Sequence, residues 1–268
     1  MARKEKPWIT EPEVVAPVTI HPAIEKAAHY FGFTIKHVPV THDFKADVAA
    51  MASAITRNTI ALSASAPQYV HCIIDPIAEI GALALQHNLP LHVDACFGGF
   101  MLPFTESLGH PTDAWDFRVP GVTSISADLH KYGYAPKGCS VVLYRNSHYR
   151  SFQYFAFSTW PGGLFCSPSI CGTRPGPNIA AAWATLKIIG RSGYEDLTRK
   201  LMATAAEMMS GINAIQGLAV MGKPQMAAFA FTRYICVYVY ICIIYIIMMY
   251  MYMHIYVYPH RVIRFIVA

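Results

Sequence analysis

Between about residue 19 and about residue 215 the sequence switches repeatedly between a helical and a strand period, and that alternation limits its fold more than any other feature. Apolar strands separated by amphipathic helices build an α/β domain around a mostly parallel sheet. Residues 22–31, PAIEKAAHYF, open with Pro22 in a first-turn position and stop at Gly32, which predicts a helix. A strand is expected at 35–40 (IKHVPV) and a helix at 46–57. TIALSAS, residues 59–65, is an apolar, β-branched run suited to a buried strand. Asp75-Pro76 is expected to cap a helix that carries Ile77, Ile80, Leu83 and Ala84 on one face and ends near Asn88. Three more strands are expected at 91–96 (LHVDAC), 122–127 (VTSISA) and 139–144 (CSVVLY). From Pro175 to about Ile215 two long helical patterns flank Gly190 and Gly193.

Composition narrows the function classes. With 268 residues, 54% of them hydrophobic, the chain can bury a sizeable core, so wholesale disorder is excluded. The net charge of +5 is scattered, with no basic run and no aromatic-plus-basic signature, which argues against nucleic acid as a partner. Seven cysteines without a C-x-x-C pair indicate neither a zinc site nor a disulfide framework and fit a reducing compartment. His29, His42, His71 and His148 lack metal-ligand spacing and read as structural. The opening MARKEKPWITEPEV lacks the apolar stretch of a signal peptide.

The expected organisation is an N-terminal extension at 1–18, a large domain with connecting helices at 19–215, the start of a small domain at 216–233, and an apolar tail at 234–268. The uncharged run Tyr234 to Met253 is long enough to span a bilayer. It lacks Leu, Ala and Gly, however, and its residues are those of alternating TA and TG triplets, so translated non-coding repeat is the preferred reading. Sequencing the transcript across codon 233 separates the two.

The carboxyl ends of strands are where open α/β sheets bind ligands, and Asp94, His130 and Lys131 fall at such ends. Chemistry based on pyridoxal 5′-phosphate (PLP) needs a lysine for the Schiff base, a carboxylate for the pyridine nitrogen, a flat group over the ring and donors for the phosphate. Lys131 lies in SADLHKYGYAPKG directly after a strand, with a Gly-containing turn behind it at Gly133. Asp94, in HVDACFGGF, ends an apolar strand, where a buried carboxylate needs a cationic partner such as a pyridinium N–H. His21 precedes the helix at 22–31 and can offer the flat group. Taken singly, Lys131 reads as a solvated side chain, Asp94 as a strand-end cap and His21 as a capping or core histidine. Cys96 and Cys139 read as buried inert thiols, and Gly98-Gly99 as a tight turn rather than a phosphate loop.

Together these segments resemble the sphingosine-1-phosphate lyase family within the group II PLP-dependent decarboxylases. The resemblance runs from about Pro12 to about Ile215 through HPAIEKAAHYFG, SAPQYVHCIIDPIAEI, LHVDACFGGF, DFRVPGVTSISADLHKYGYAPKG and GTRPG. It implies an incomplete large domain of the aspartate aminotransferase fold (fold type I), with Lys131 as the Schiff-base lysine, Asp94 as the pyridinium partner and His21 as the stacking residue. His130 would be a phosphate or substrate contact, Lys137, Tyr132 and Tyr134 would line the site, and Arg174 would serve a neighbouring subunit of a homodimer. The implied reaction is retro-aldol cleavage of a phosphorylated long-chain base to a fatty aldehyde and phosphoethanolamine, at the cytosolic face of the endoplasmic reticulum membrane. Family members carry an N-terminal anchor, a Gly-Thr/Ser-rich phosphate loop and a C-terminal small domain that this sequence does not match, so weak PLP binding by this chain alone is expected. The competing readings are an amino-acid decarboxylase of the same fold group and a non-catalytic, membrane-associated protein.

Overall fold

The computed structural model describes residues 1–233; both readings of the 234–268 tail lie outside the described residues. The elements are, in chain order, α1 (Ala2–Glu5), β1 (Glu13–Pro17), α2 (Ala23–Phe31), β2 (Thr34–Val38), α3 (Val48–Ala54), β3 (Thr59–Ser65), α4 (Ile77–Gln86) and β4 (Leu91–Asp94). They continue with α5 (Leu102–Ser107), β5 (Val122–Ala127), β6 (Val141–Tyr144), α6 (Ser147–Ser151), β7 (Phe155–Phe157), β8 (Phe165–Ser167), α7 (Gly176–Ala214), β9 (Leu218–Val220) and β10 (Phe231–Arg233).

Six strands form the main sheet in the order β2-β1-β3-β4-β5-β6, parallel throughout except for β6, which runs antiparallel to β5. The expected α/β architecture is thus present, with one strand that sequence reading passed over. Glu13–Pro17, assigned by pattern to the N-terminal extension, pairs with both β2 and β3 and lies inside the sheet. Its five residues, beginning with Glu and ending with Pro, are too short to register a period against the polar segment before them.

Strand order reverses around β1: the chain steps one way to β2, then back past β1 to β3 and onward. Right-handed crossovers therefore send α2 to one face of the sheet and α3 and α4 to the other. On the second face Val15, Leu62, Leu91 and Val93 are completely buried against Met51 of α3 and Ile77 and Ile80 of α4. On the first, His37 bonds to Glu25 of α2, while its neighbour Val38 joins the core behind it. Packing on the α4 side is close enough to require glycine. A Cβ on Gly121 would sit 2.1 Å from the carbonyl oxygen of Gly81, so helix and strand lead-in meet backbone to backbone.

The cap expected of Asp75 is not there. Pro76 is the N-cap of α4, without a side-chain cap bond. The Asp75 carboxylate turns inward instead, accepting the backbone N–H groups of Ala46 at 2.9 Å and Ser65 at 2.8 Å. It ties the end of β3 to the loop before α3, and burial pushes its pKa up to about 6. The two helical patterns after Pro175 form α7, broken at Gly190, whose φ of 60° and ψ of 176° only glycine adopts without strain.

Candidate active site

In a strand, alternate residues face the same side. On β4 this puts His92 and Asp94 opposite the buried Leu91 and Val93. The register aligns Ser63 and Ser65 of β3 with His92 and Asp94, and Ser124 and Ser126 of β5 with the same pair, so one face carries a polar stripe three strands wide. Asp94 stands at its carboxyl end, where Oδ1 accepts the Cys96 N–H at 3.0 Å and the Ser126 hydroxyl at 3.3 Å.

Beyond β5 the chain turns through Asp128, His130 and Lys131. Lys131 Nζ lies 2.9 Å from Asp128 Oδ2. Burial acts to raise the Asp128 pKa, but hydrogen bonds from Ser140 and Lys131 and the lysine's charge outweigh it, so the carboxyl stays below its ordinary range. The His130 ring donates from Nδ1 to the Cys139 carbonyl at 2.6 Å, and its Nε2 is 3.6 Å from Asp128 Oδ2. Cys96 links the two carboxylates: its thiol pKa is driven up by burial first and then by Asp94 and Asp128, which fits an inert thiol. Gly98 has no room for a side chain, because a Cβ would fall 2.2 Å from the Ala66 carbonyl oxygen. A tight turn accounts for the glycine pair there.

The structure therefore places Asp94 at the end of β4 and His130 and Lys131, clustered on Asp128, just past the end of the neighbouring β5. His21 stands at the end of β1, two strands from β4, where its exposed ring accepts the Ala23 N–H at 3.1 Å as a helix-start cap. Tyr132, expected to line the site, belongs to the apolar core and packs on Phe97 with ring centroids 5.2 Å apart. Tyr134 is half-buried beside Tyr194, and burial pushes its phenol up to about 12. Lys137 is exposed, and Arg174 folds back on its own loop, donating to the Gly172 carbonyl at 3.2 Å and to Ser169. A cavity of about 620 Å³, lined by Phe31, Phe152, Phe155, Phe165 and Ile170 among others, includes none of the cluster residues.

Sequence reasoning missed Asp128, Ser126 and His92. The signals were present as spacing: Asp-x-x-Lys around Lys131, and the alternations His-x-Asp on β4 and Ser-x-Ser on β5.

These residues fit a PLP-type group. Lys131 provides an amine, and Asp94 sits on the polar side of the sheet with Oδ1 bonded to the Cys96 N–H and the Ser126 hydroxyl. A fold and a site of this kind define a class, and the chain belongs to it: residues 2–234 match the pyridoxal-dependent decarboxylase conserved domain, so its family cofactor is pyridoxal 5′-phosphate. Within the class the similarity is to sphingosine-1-phosphate lyases. The chain is 50% identical over 223 residues to sphingosine-1-phosphate lyase 1 of Rattus norvegicus, covering 83% of this chain and 39% of that protein. A sphingosine-1-phosphate lyase structure from Burkholderia pseudomallei superposes with a TM-score of 0.83 at 44% identity, over 87% of this chain and 53% of that one. Glutamate decarboxylase from Lactobacillus brevis, at 23% identity and a TM-score of 0.73 over 83% and 52% of the two chains, shares the fold alone. The chain thus spans 39–42% of the length of most of the curated relatives it matches.

Proposed function

We propose that this chain is the cofactor-holding part of a PLP-dependent carbon–carbon lyase acting on a sphingoid-base phosphate. The observation that carries the reading is the pairing of the Asp94 carboxylate with the Lys131–Asp128 ion pair on neighbouring strand ends, in a chain 50% identical to a sphingosine-1-phosphate lyase over that whole region.

When bound, the cofactor supplies an aldehyde for the lysine amine and a protonated ring that accepts electrons from the bond being cleaved. The Asp94 carboxylate would hold the ring N–H and favour the protonated ring through its charge. Asp128 holds the Lys131 amine in place at 2.9 Å. Lys131 Nζ would be the group that binds the cofactor's aldehyde, and when not so bound its amine could move a proton in the site. His130, anchored through Nδ1 on the Cys139 carbonyl, presents Nε2 toward the same space for a substrate or phosphate oxygen. His21 is the ring-stacking residue in this reading, released from the cap it forms at α2. Arg174 reaches the site of a second subunit, and the whole enzyme works as a homodimer at the cytosolic face of the endoplasmic reticulum membrane.

The test is covalent. Full-length chain is incubated with pyridoxal phosphate, reduced with borohydride and digested. A sub-stoichiometric pyridoxyl mass on the Lys131 peptide, in keeping with weak binding by this chain alone and absent from Lys131→Ala, is expected; a label spread over surface lysines and unchanged in the variant would sink the assignment. Release of fatty aldehyde from a phosphorylated long-chain base, and not carbon dioxide from glutamate, is expected of the longer protein that contains this chain.

A further inference from the structure

His92 lies two residues before Asp94 on β4, half-buried in the polar stripe, and both of its ring nitrogens meet hydroxyls of the next strand. Nδ1 is 2.9 Å from Ser124 Oγ and Nε2 is 3.2 Å from Ser126 Oγ. Ser126 Oγ lies 3.3 Å from Asp94 Oδ1. A hydroxyl has one proton to give, an ionised carboxylate can only accept, and a hydrogen bond to a charged acceptor is the stronger kind. The Ser126 proton therefore goes to Asp94, and the Ser126 oxygen accepts from His92 Nε2–H. That leaves Nδ1 to accept from Ser124. All three bonds point the same way, from Ser124 through His92 and Ser126 to Asp94.

With the ring neutral and its proton on Nε2, Nδ1 carries the lone pair that accepts the Ser124 hydroxyl. Desolvation lowers the His92 pKa against the opposing pull of Asp94, in keeping with that state. An apolar side chain would fill the stripe without the cost of burying two ring nitrogens. What the imidazole adds is direction: it keeps the Ser126 proton on Asp94, so that Ser126 and the Cys96 N–H together fix Oδ1.

We propose that His92 is a positioning residue which, through Ser126, orients the Asp94 carboxylate for the ring nitrogen of the cofactor. This rests on the reading of Asp94 under the proposed function and adds to it the group that aims the carboxylate.

Two measurements on the full chain test it. Nitrogen NMR of the chain labelled at histidine, without cofactor, is expected to show His92 as the neutral Nε2–H tautomer at neutral pH. A ring without a proton on Nε2 would overturn the proposal whatever the cofactor does. The second compares affinity for pyridoxal phosphate with that for its analogue bearing carbon in place of the ring nitrogen. His92→Phe and Ser126→Ala are expected to cut the preference for the nitrogen-containing ring about tenfold, and His92→Gln, which keeps a donor and an acceptor, to hold it within about twofold of the parent. Asp94→Asn serves as the reference. If it leaves the preference intact, the Asp94 reading fails; if it abolishes the preference while His92→Phe does not, only the role of His92 fails.

Discussion

The two faces of the central sheet come from the same strands and yet do different work. On one, Val15, Leu62, Leu91 and Val93 are sealed under α3 and α4, and the contact is tight enough that Gly81 and Gly121 cannot carry a side chain. On the other lie the alternate residues Ser63, Ser65, His92, Asp94, Ser124 and Ser126, of which Ser124, His92, Ser126 and Asp94 are joined by hydrogen bonds. The first face supplies stability through buried area and packing. The second gives up that stabilisation to place a carboxylate where a ligand can meet it. A second contrast lies in the buried carboxylates. Asp75 has two backbone N–H partners and only the distant attraction of Lys45, and its pKa is raised; Asp128 is bonded to Lys131, and its pKa is lowered.

If the division between faces is right, truncating the apolar one has the largest effect. Leu62→Ala is expected to lower unfolding free energy by about 4 kcal/mol in a denaturant titration, through lost burial and the cavity left behind. A loss below about 1 kcal/mol would mean that the face is not close-packed. The next effect is pH dependence. Asp75 ionises near the ordinary carboxyl value when unfolded and near 6 when folded, so its contribution is present below about pH 4 and fades as pH rises through 6. The loss amounts to about 3 kcal/mol if the whole shift is expressed. Asp75→Asn is expected to remove that slope relative to the parent, while costing about 1–3 kcal/mol at low pH for the N–H group left without an acceptor. Parallel stability curves for the two proteins would contradict it. Asp128 runs the opposite way: its contribution is lost as pH falls through its lowered folded value, and Asp128→Asn is expected to flatten the acid side of the curve. Gly121→Ala should cost about 2 kcal/mol, since the added methyl meets backbone that cannot rotate away. The smallest change is expected on the polar face, where Ser124→Ala should alter stability by less than about 1 kcal/mol while shifting the His92 ring signal. A Ser124→Ala loss equal to that of Leu62→Ala would abolish the distinction between the faces.

Much of this was legible along the chain. TIALSAS and VTSISA announced β3 and β5 through their β-branched, apolar runs, and β5 matched its expected bounds. The lysine and the aspartate were marked by strand ends and by the motifs around them. Asp75 was misread as a cap because Asp-Pro before an apolar helix is a local signal, while the N–H groups that claim the carboxylate come from Ser65 and Ala46, ten and twenty-nine residues away. Tyr132 was placed in the site by the resemblance, but its ring enters the apolar core.

By itself, then, the sequence determined the α/β class, most of the strands and the placing of Lys131 and Asp94 at strand ends, because period and composition act over a few neighbouring residues. Only the tertiary structure decided that EVVAP lies within the sheet, that Asp128 holds Lys131 and that His92 reaches Asp94 through Ser126. Those relations depend on strand order and register. Hydrogen bonds across strands join residues more than thirty positions apart, and no local pattern encodes which ones will meet.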